Sequence, residues 1–207
     1  MTKTRPHHIA LPAVSPILLI LFFSCGAVLC QSGSSGDESY FPLAVGNWWL
    51  YMVRGQPQSA VRAIRWRVAQ RELLHGSPVF HLWQQPAQDD EPLSLSRAEA
   101  GILEAGTERF LLKNPLRTGD RWSAKSRSLR APNKTDAFEV ISCGEPCSAG
   151  GHSFNDCAII REVDEANNVA SLTTYARGVG PVKYVYFKSL HSDEVGTTLT
   201  IKTWQTH

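Results

Sequence analysis

Of the five cysteines in this 207-residue chain, three lie beyond the first 39 residues, namely Cys143, Cys147 and Cys157, and cysteine is the side chain with the widest choice of chemistry in that part. Gly144 and Pro146 are turn-forming residues between Cys143 and Cys147, so a small loop closed by a Cys143–Cys147 disulfide is one expectation. A Cys143–Cys157 disulfide that closes a hairpin is the other, and either pairing leaves one cysteine over. The C-x-x-x-C spacing differs from the redox C-x-x-C motif, and no second cysteine pair completes a zinc site. The cysteines therefore predict a structural disulfide, with no metal and no cofactor.

Histidine, serine and acidic residues give weaker signals for catalysis or metal binding. His152, Ser153 and Asp156 have the residue types of a catalytic triad, but three neighbours on one loop rarely meet at a common centre. His81 lies among apolar residues of a predicted strand, and the acidic run 89–91 has the carboxylates that Ca²⁺ prefers but is typical of a solvated turn. Nucleotide-binding, serine-hydrolase and zinc-protease motifs are absent from the sequence. We therefore expect no catalytic residue and no metal site, and predict that the protein is not an enzyme.

Residues 1–30 have the composition of a signal peptide or a lipoprotein leader, because a basic start precedes a short apolar run and then small residues. Several outcomes stay open: lipidation at Cys25 after a small serine, ordinary cleavage after Ala27, and an uncleaved anchor or lipidation at Cys30. Residues 31–39 are rich in Gly and Ser and are typical of a flexible tether. We predict an exported protein of the cell envelope, either a membrane-anchored lipoprotein or a secreted or periplasmic protein.

The charge distribution excludes nucleic acid as a partner. The formal net charge is +2, and Lys3 and Arg5 of the leader account for both positive charges. The remaining body is neutral and has no field that attracts a polyanion. Contact with a membrane is expected only through an N-terminal anchor.

Residues 40–207 are predicted to form one domain of β-strands. Apolar and polar residues alternate with period two in runs such as 64–68, 138–140 and 182–186, and turn-forming clusters separate these runs. The single helix candidate, residues 96–105, contains a glycine that weakens it. The fold class is therefore all-β: an antiparallel sheet, a sandwich or an open half-barrel.

An internal repeat divides this domain. Two segments share the pattern P-L-x-x-G-[ND]-x-W, which indicates an extended entry, a turn at the glycine and a tryptophan that opens the next strand. The matched residues are Pro42, Gly46 and Trp49 in the first copy and Pro115, Gly119 and Trp122 in the second. We predict two duplicated β-meander units, repeat 1 at about 40–112 and repeat 2 at about 113–207, with the tryptophans as core anchors.

Four segments carry a resemblance to a protein family: YFPLAVGNWWLY, NPLRTGDRW, FNDCAIIREV and YARGVGPVKYVY. On these segments the chain resembles a widespread group of uncharacterised bacterial exported proteins and lipoproteins. Members share a Y-F-P-L-x-x-G-N-x-W-x-Y start, an F-x-x-C strand and a Y-A-x-G-V-G-x-V-K segment. The resemblance extends from about Tyr40 to the C-terminus. It implies an all-β extracytoplasmic domain without known catalytic activity, so no site residue is transferred from the group.

Three functions remain open at this stage. The leading hypothesis is a non-enzymatic binding or scaffolding module whose partner is an unknown envelope protein, which requires a filled core and an exposed apolar patch. The second is a carrier of a lipid or other apolar ligand in a curved sheet, which requires a cavity of several hundred Å³. The third is an enzyme with an unrecognised site near His81 or His152, which requires titratable groups with perturbed pKa values in one cleft.

Overall fold

The computed structural model describes residues 29–30, 39–55, 62–86, 91–127 and 133–207. These residues form fourteen β-strands connected by turns, so the all-β prediction is confirmed. Within these ranges no helix has the length and apolar character needed to cross a membrane. Residues 1–28 of the predicted leader, which include Cys25, and residues 31–38 of the predicted tether at 31–39 lie outside the described residues.

Twelve of the strands form one sheet and two short strands form a separate pair. In chain order the strands are β1 (Leu29–Cys30), β2 (Trp48–Gly55), β3 (Arg62–Leu74), β4 (Ser77–Gln85), β5 (Leu93–Ala98), β6 (Gly101–Glu104), β7 (Phe110–Lys113), β8 (Leu116–Arg117), β9 (Arg121–Lys125), β10 (Thr135–Ala149), β11 (His152–Asp164), β12 (Val169–Ala176), β13 (Gly180–Phe187) and β14 (Val195–Gln205).

The large sheet consists of two six-stranded antiparallel meanders. Its spatial order is β7-β6-β5-β4-β3-β2-β14-β13-β12-β11-β10-β9, so β2 to β7 are neighbours in sequence order and β9 to β14 are as well. The meanders join where β2, the first strand of one, pairs with β14, the last strand of the other, from Trp48↔Gln205 to Gly55↔Thr197. The small pair is β1 with β8.

The sheet curves into a barrel that is nearly closed. Its two edge strands, β7 and β9, share no backbone ladder, and side chains bridge them instead. The indole Nε1 of Trp122 donates to the carbonyl of Phe110 at 2.9 Å, and Arg109 Nη1 donates to the carbonyl of Lys125 at 3.0 Å. By the order of the repeats this seam is the counterpart of the β2–β14 junction. One junction is therefore fully hydrogen-bonded, and the other is an open seam.

The two copies of the sequence repeat have the same backbone hydrogen bonds. In each copy the glycine N–H donates to the carbonyl of a valine, which lies on β3 in the first copy and on β10 in the second. The N–H of that valine donates to the carbonyl of the residue after the glycine. The first copy uses Gly46, Asn47 and Val68, with distances of 2.9 and 2.9 Å, and the second uses Gly119, Asp120 and Val140, with distances of 2.8 and 2.9 Å. Both glycines have positive φ, 98° and 88°, which explains the residue type at this turn.

The tryptophans of both copies point into the barrel, whereas the prolines differ. Trp49 is 0% exposed and Trp122 is 8% exposed. Pro42 is fully buried, while Pro115 lies on the surface. The difference arises because residues 39–47 pack across one end of the barrel, where Phe41 meets Trp49 edge to face at a ring distance of 5.6 Å. We call this filled end, where β2 begins, the closed end.

The helix candidate at residues 96–105 is wrong: this segment forms the hairpin of β5 and β6. Leu95 and Ile102 are buried in the core while their neighbours alternate outward, as in a strand. Gly101 has a φ of 135°, and a Cβ there would lie 2.0 Å from the carbonyl oxygen of Leu112. The glycine that weakened the helix is therefore required for the close approach of β7.

Candidate functional site

The end of the barrel opposite the closed end contains a cavity of about 1580 Å³. We call this the open end, and both meanders contribute to its wall. Apolar lining residues include Val53, Ile64, Trp66, Leu82, Leu93 and Leu199. Charged lining residues include Arg62, Glu91, Glu104, Arg109, Lys125 and Arg127. At the closed end, core side chains fill the space inside the barrel. At the open end the strands surround a space that no core side chains fill, and this space is the cavity.

One side of the cavity is aromatic. Trp66 on β3 packs against Tyr184 on β13 at a ring distance of 5.5 Å, and Tyr184 stacks with Tyr186 at 6.4 Å. We call these three residues the aromatic wall; Trp66 and Tyr186 line the cavity, and Tyr184 packs against both of them. The indole Nε1 of Trp66 donates to the side-chain oxygen of Gln84 at 3.1 Å, which fixes the orientation of the ring.

An ion-pair cluster of Glu104, Arg109, Arg127, Asp136 and Glu162 lies beside the cavity, and its members Glu104, Arg109 and Arg127 line it. The Arg109 guanidinium is 4% exposed and contacts the carboxylates of Asp136 and Glu162, and its Nε lies 3.8 Å from Glu104. Glu104 also accepts from Arg127 Nε at 2.7 Å. Asp136 is 1% exposed, so its charge depends on Arg109. The cluster also joins the two edges of the sheet, because its members belong to both meanders.

Burial raises the pKa of Glu162 above the ordinary value for a glutamate, and the nearby Arg109 and Arg127 charges oppose that rise. Burial likewise raises the pKa of Tyr186 on β13, which lines the cavity, with the Glu162 charge adding to the effect. Each acid in the cluster has an arginine partner.

All tyrosines of the chain lie in environments that raise the phenol pKa, chiefly because burial disfavours the phenolate. They are Tyr40, with a pKa of about 12, and Tyr51, Tyr175, Tyr184 and Tyr186.

We expect no tyrosine to ionise in the folded protein near pH 10. Because the unfolded chain releases these protons from about pH 10 upward and the folded chain retains them, the contribution of the tyrosines to the free energy of unfolding should stay constant below pH 10 and fall above it. An alkaline titration of tyrosinate absorbance measures the ionisation of the tyrosines, and near-ultraviolet circular dichroism recorded with it measures the loss of the folded structure. Tyrosinate absorbance that develops near pH 10 while the native dichroism persists would contradict this expectation.

The structure forms a disulfide between Cys147 and Cys157, a pairing that differs from both of those expected. Cys143 and Cys147 lie on the same strand, β10, where four residues span roughly 13 Å, too far for a disulfide. Cys143 opposes Ala158 on β11, which places Cys157 on the other face of the sheet. Irregularities in the register after Cys143 bring Cys147 to a Cα distance of 6.0 Å from Cys157.

His81, His152 and Asp156, which were candidates for chemistry, lie away from the cavity and have structural partners. His152 Nε2 is 3.1 Å from the carbonyl of Lys202, and Asp156 accepts from Arg177 Nε at 2.6 Å, so they do not form a triad. His81 lies between Ser94, at 2.8 Å, and Glu72, at 3.1 Å. Of the acidic run 89–91, only Glu91 lies in the described residues.

The residues that line the cavity were not selected from the sequence as site residues. Trp66, Tyr184 and Tyr186 belong to runs predicted correctly as strands, but their convergence on one wall depends on the closure of the sheet. Arg109 has no local signal at all, because its partners lie on distant strands.

No protein-family model matches the chain. No curated protein sequence is significantly similar to it. Among solved structures, a protein described as a lipoprotein from Parabacteroides distasonis has a TM-score of 0.43 and 11% identity, covering 83% of this chain and 100% of that one. A protein described as an exported protein with a YmcC-like fold from Bacteroides fragilis has a TM-score of 0.45 and 10% identity, covering 80% of this chain and 98% of that one. Likeness at this level says nothing about ligand or activity.

Proposed function

We propose that this protein is a non-enzymatic extracytoplasmic β-module that binds an amphipathic ligand at the open end of its barrel. The observation that carries this proposal is the cavity of about 1580 Å³. Cavities for small ligands in proteins are commonly about 300–1,000 Å³, so the volume accommodates a large ligand or an acyl chain with a polar group. Of the earlier hypotheses, the carrier of an apolar ligand gains the most support.

The lining supports a ligand with both apolar and polar parts. The aromatic wall and the leucines beside it offer surface to a hydrocarbon or a ring system, since burial of apolar area is the main driving force for such binding. Glu104, Arg109 and Arg127 of the ion-pair cluster also line the cavity and offer charged donors and acceptors for a polar group. A purely apolar ligand would remove water from these charged groups without replacing its hydrogen bonds.

The pairing of the acids supports a binding role over a catalytic one. Each carboxylate of the cluster is held by Arg109 or Arg127, and such pairs also arise in structural networks. The histidines considered from the sequence are engaged elsewhere on the sheet. The predicted leader and the Cys147–Cys157 disulfide support a location outside the cytoplasm.

Scaffolding through an apolar patch is supported less well. Large apolar side chains are exposed on several separate elements of the described chain: Val45, Leu73, Leu74, Trp83, Ile141 and Val195. Only Leu73 and Leu74 are adjacent, at the end of β3. Single exposed apolar residues of this kind are common on protein surfaces.

Two leucines provide a matched test of the cavity. Leu93 lines the cavity, whereas Leu73 is 67% exposed on the surface. Binding of the neutral probe 1-N-phenylnaphthylamine and the anionic probe 8-anilinonaphthalene-1-sulfonate is measured by fluorescence titration. We expect saturable binding to the native protein, about tenfold weaker binding or more for Leu93→Glu because a carboxylate enters the apolar lining, and unchanged binding for Leu73→Glu.

The native near-ultraviolet dichroism of both variants is the control for folding. Absence of saturable binding of either probe, or equal weakening by the two substitutions, would contradict the proposed function.

A further inference from the structure

The short strand β1 ties the end of the predicted leader to the body of the barrel. Leu29 pairs with Arg117 and Cys30 pairs with Leu116 in an antiparallel ladder with β8. Directly opposed residues in such a ladder have Cα atoms about 4.5–5.5 Å apart. The backbone of Cys30 therefore lies next to that of Leu116, and β1 also contacts β10.

Cys143 of β10 lies at the same place. Its side chain is 2% exposed, and its sulfur is 3.9 Å from the carbonyl oxygen of Leu116, the residue that pairs with Cys30. The hydroxyl of Thr118 lies 3.6 Å from the same sulfur. The sulfur of Cys143 is thus buried beside the backbone of the residue that faces Cys30.

The other cysteines of the chain limit the possible disulfide partners of Cys143. Cys143 is disulfide-bonded, and Cys147 and Cys157 are bonded to each other. The chain has five cysteines, so the partner of Cys143 within the chain is Cys25 or Cys30. Of these two, Cys30 lies in the described part of the chain, and it belongs to a strand that is paired beside Cys143.

We propose that Cys30 and Cys143 form a second disulfide, and that the leader is removed upstream of Cys30. The bond forms by thiol–disulfide exchange. The two thiols lose two protons and two electrons, and a protein or low-molecular-weight disulfide outside the cytoplasm accepts them and is reduced to two thiols. The product staples the N-terminus of the mature chain to β10.

This bond distinguishes the outcomes of leader processing. Lipidation of Cys30 is excluded, because the thioether to the lipid uses the same sulfur. Lipidation at Cys25 and cleavage after Ala27 both retain Cys30. With a lipid on Cys25, the chain between the anchor and the staple is only residues 26–29, so the segment 31–39 would not set the distance of the domain from the membrane.

Non-reducing peptide mapping tests both the Cys30–Cys143 disulfide and the removal of the leader. The protein for this experiment is expressed as the full chain in a host that exports it. Trypsin releases residues 135–161, which contain Cys143, Cys147 and Cys157, as one peptide, and the mature N-terminus up to Arg54 as another. We expect these two peptides as one linked species that reductant separates. The mass of the N-terminal peptide then gives the processing site directly.

Two variants assign the bond. Cys30→Ser should abolish the linked species and make Cys143 reactive towards N-ethylmaleimide in denaturant, whereas the matched double variant Cys147→Ser/Cys157→Ser should retain the linked species. An unlinked peptide 135–161 from the wild-type protein, a link through Cys25, a link between two copies of the chain, or an N-terminal peptide that begins after Cys30 or retains the whole leader would each overturn the proposal. The wild-type map alone decides this even if a variant fails to fold.

Discussion

Substitution of Arg109 with methionine is expected to lower the free energy of unfolding by about 3–5 kcal/mol, because it leaves a buried carboxylate without its counter-charge. Asp136 is 1% exposed and its Oδ2 contacts the Arg109 guanidinium, while its Oδ1 has no hydrogen-bond partner among the described residues. The substitution also removes the hydrogen bond from Arg109 to the Lys125 carbonyl, which bridges the open seam. Urea unfolding followed by circular dichroism measures the change.

Arg121→Met is the matched control, because it makes the same side-chain change in an exposed ion pair. Arg121 is 74% exposed and pairs with Glu139 at 2.6 Å, and such surface pairs contribute about 0–1 kcal/mol. The double variant Arg109→Met/Asp136→Leu should recover about 2 kcal/mol relative to the single variant, since it removes the stranded charge as well. Equal effects of Arg109→Met and Arg121→Met would show that the ion-pair cluster does not hold the seam.

The second large effect is expected at Trp49. Trp49→Ala should lower the free energy of unfolding by about 3–5 kcal/mol, because it leaves a cavity where a fully buried indole fills the closed end. The indole Nε1 donates to the Val179 carbonyl at 2.6 Å, so the alanine also strands this acceptor. The site is tightly packed: a Cβ at Gly180 would lie 3.0 Å from the indole nitrogen.

Leu73→Ala provides the comparison on the surface, where a change within about 0.5 kcal/mol is expected. Trp122→Ala tests the second copy of the repeat, and its effect should be comparable to that of Trp49→Ala because Trp122 is also buried and its Nε1 donates across the seam to Phe110. A loss below about 1 kcal/mol for Trp49→Ala would contradict its role as a core anchor.

Local patterns in the sequence were sufficient for the fold class. Alternation with period two placed Ile64 and Val68 on the buried face of β3, and Val182 and Tyr184 on the buried face of β13. The glycine and tryptophan of the repeat lie in equivalent turns and core positions. The helix candidate failed because the conformation of this segment depends on tertiary contacts. Helix propensity treats Gly101 only as a weak helix former, whereas the close approach of the neighbouring strand requires a glycine there.

Features that join distant residues could not be deduced in the same way. The disulfide pairing depends on the register of β10 against β11 and on its irregularities near Cys143, which the spacing of the cysteines does not show. The ion-pair cluster joins Arg109 to partners on two strands of the other meander. Sequence separation gave no sign of either contact.

By itself the sequence determined the all-β class and the turn at the repeated glycine, because both depend on side chains close together along the chain. Only the tertiary structure decided which cysteines bond, where the sheet stays open and which side chains face the cavity. The physical reason is that closure of a curved sheet is set by the pairing and twist of strands far apart in sequence. A residue such as Arg109 gains its role only when those strands meet.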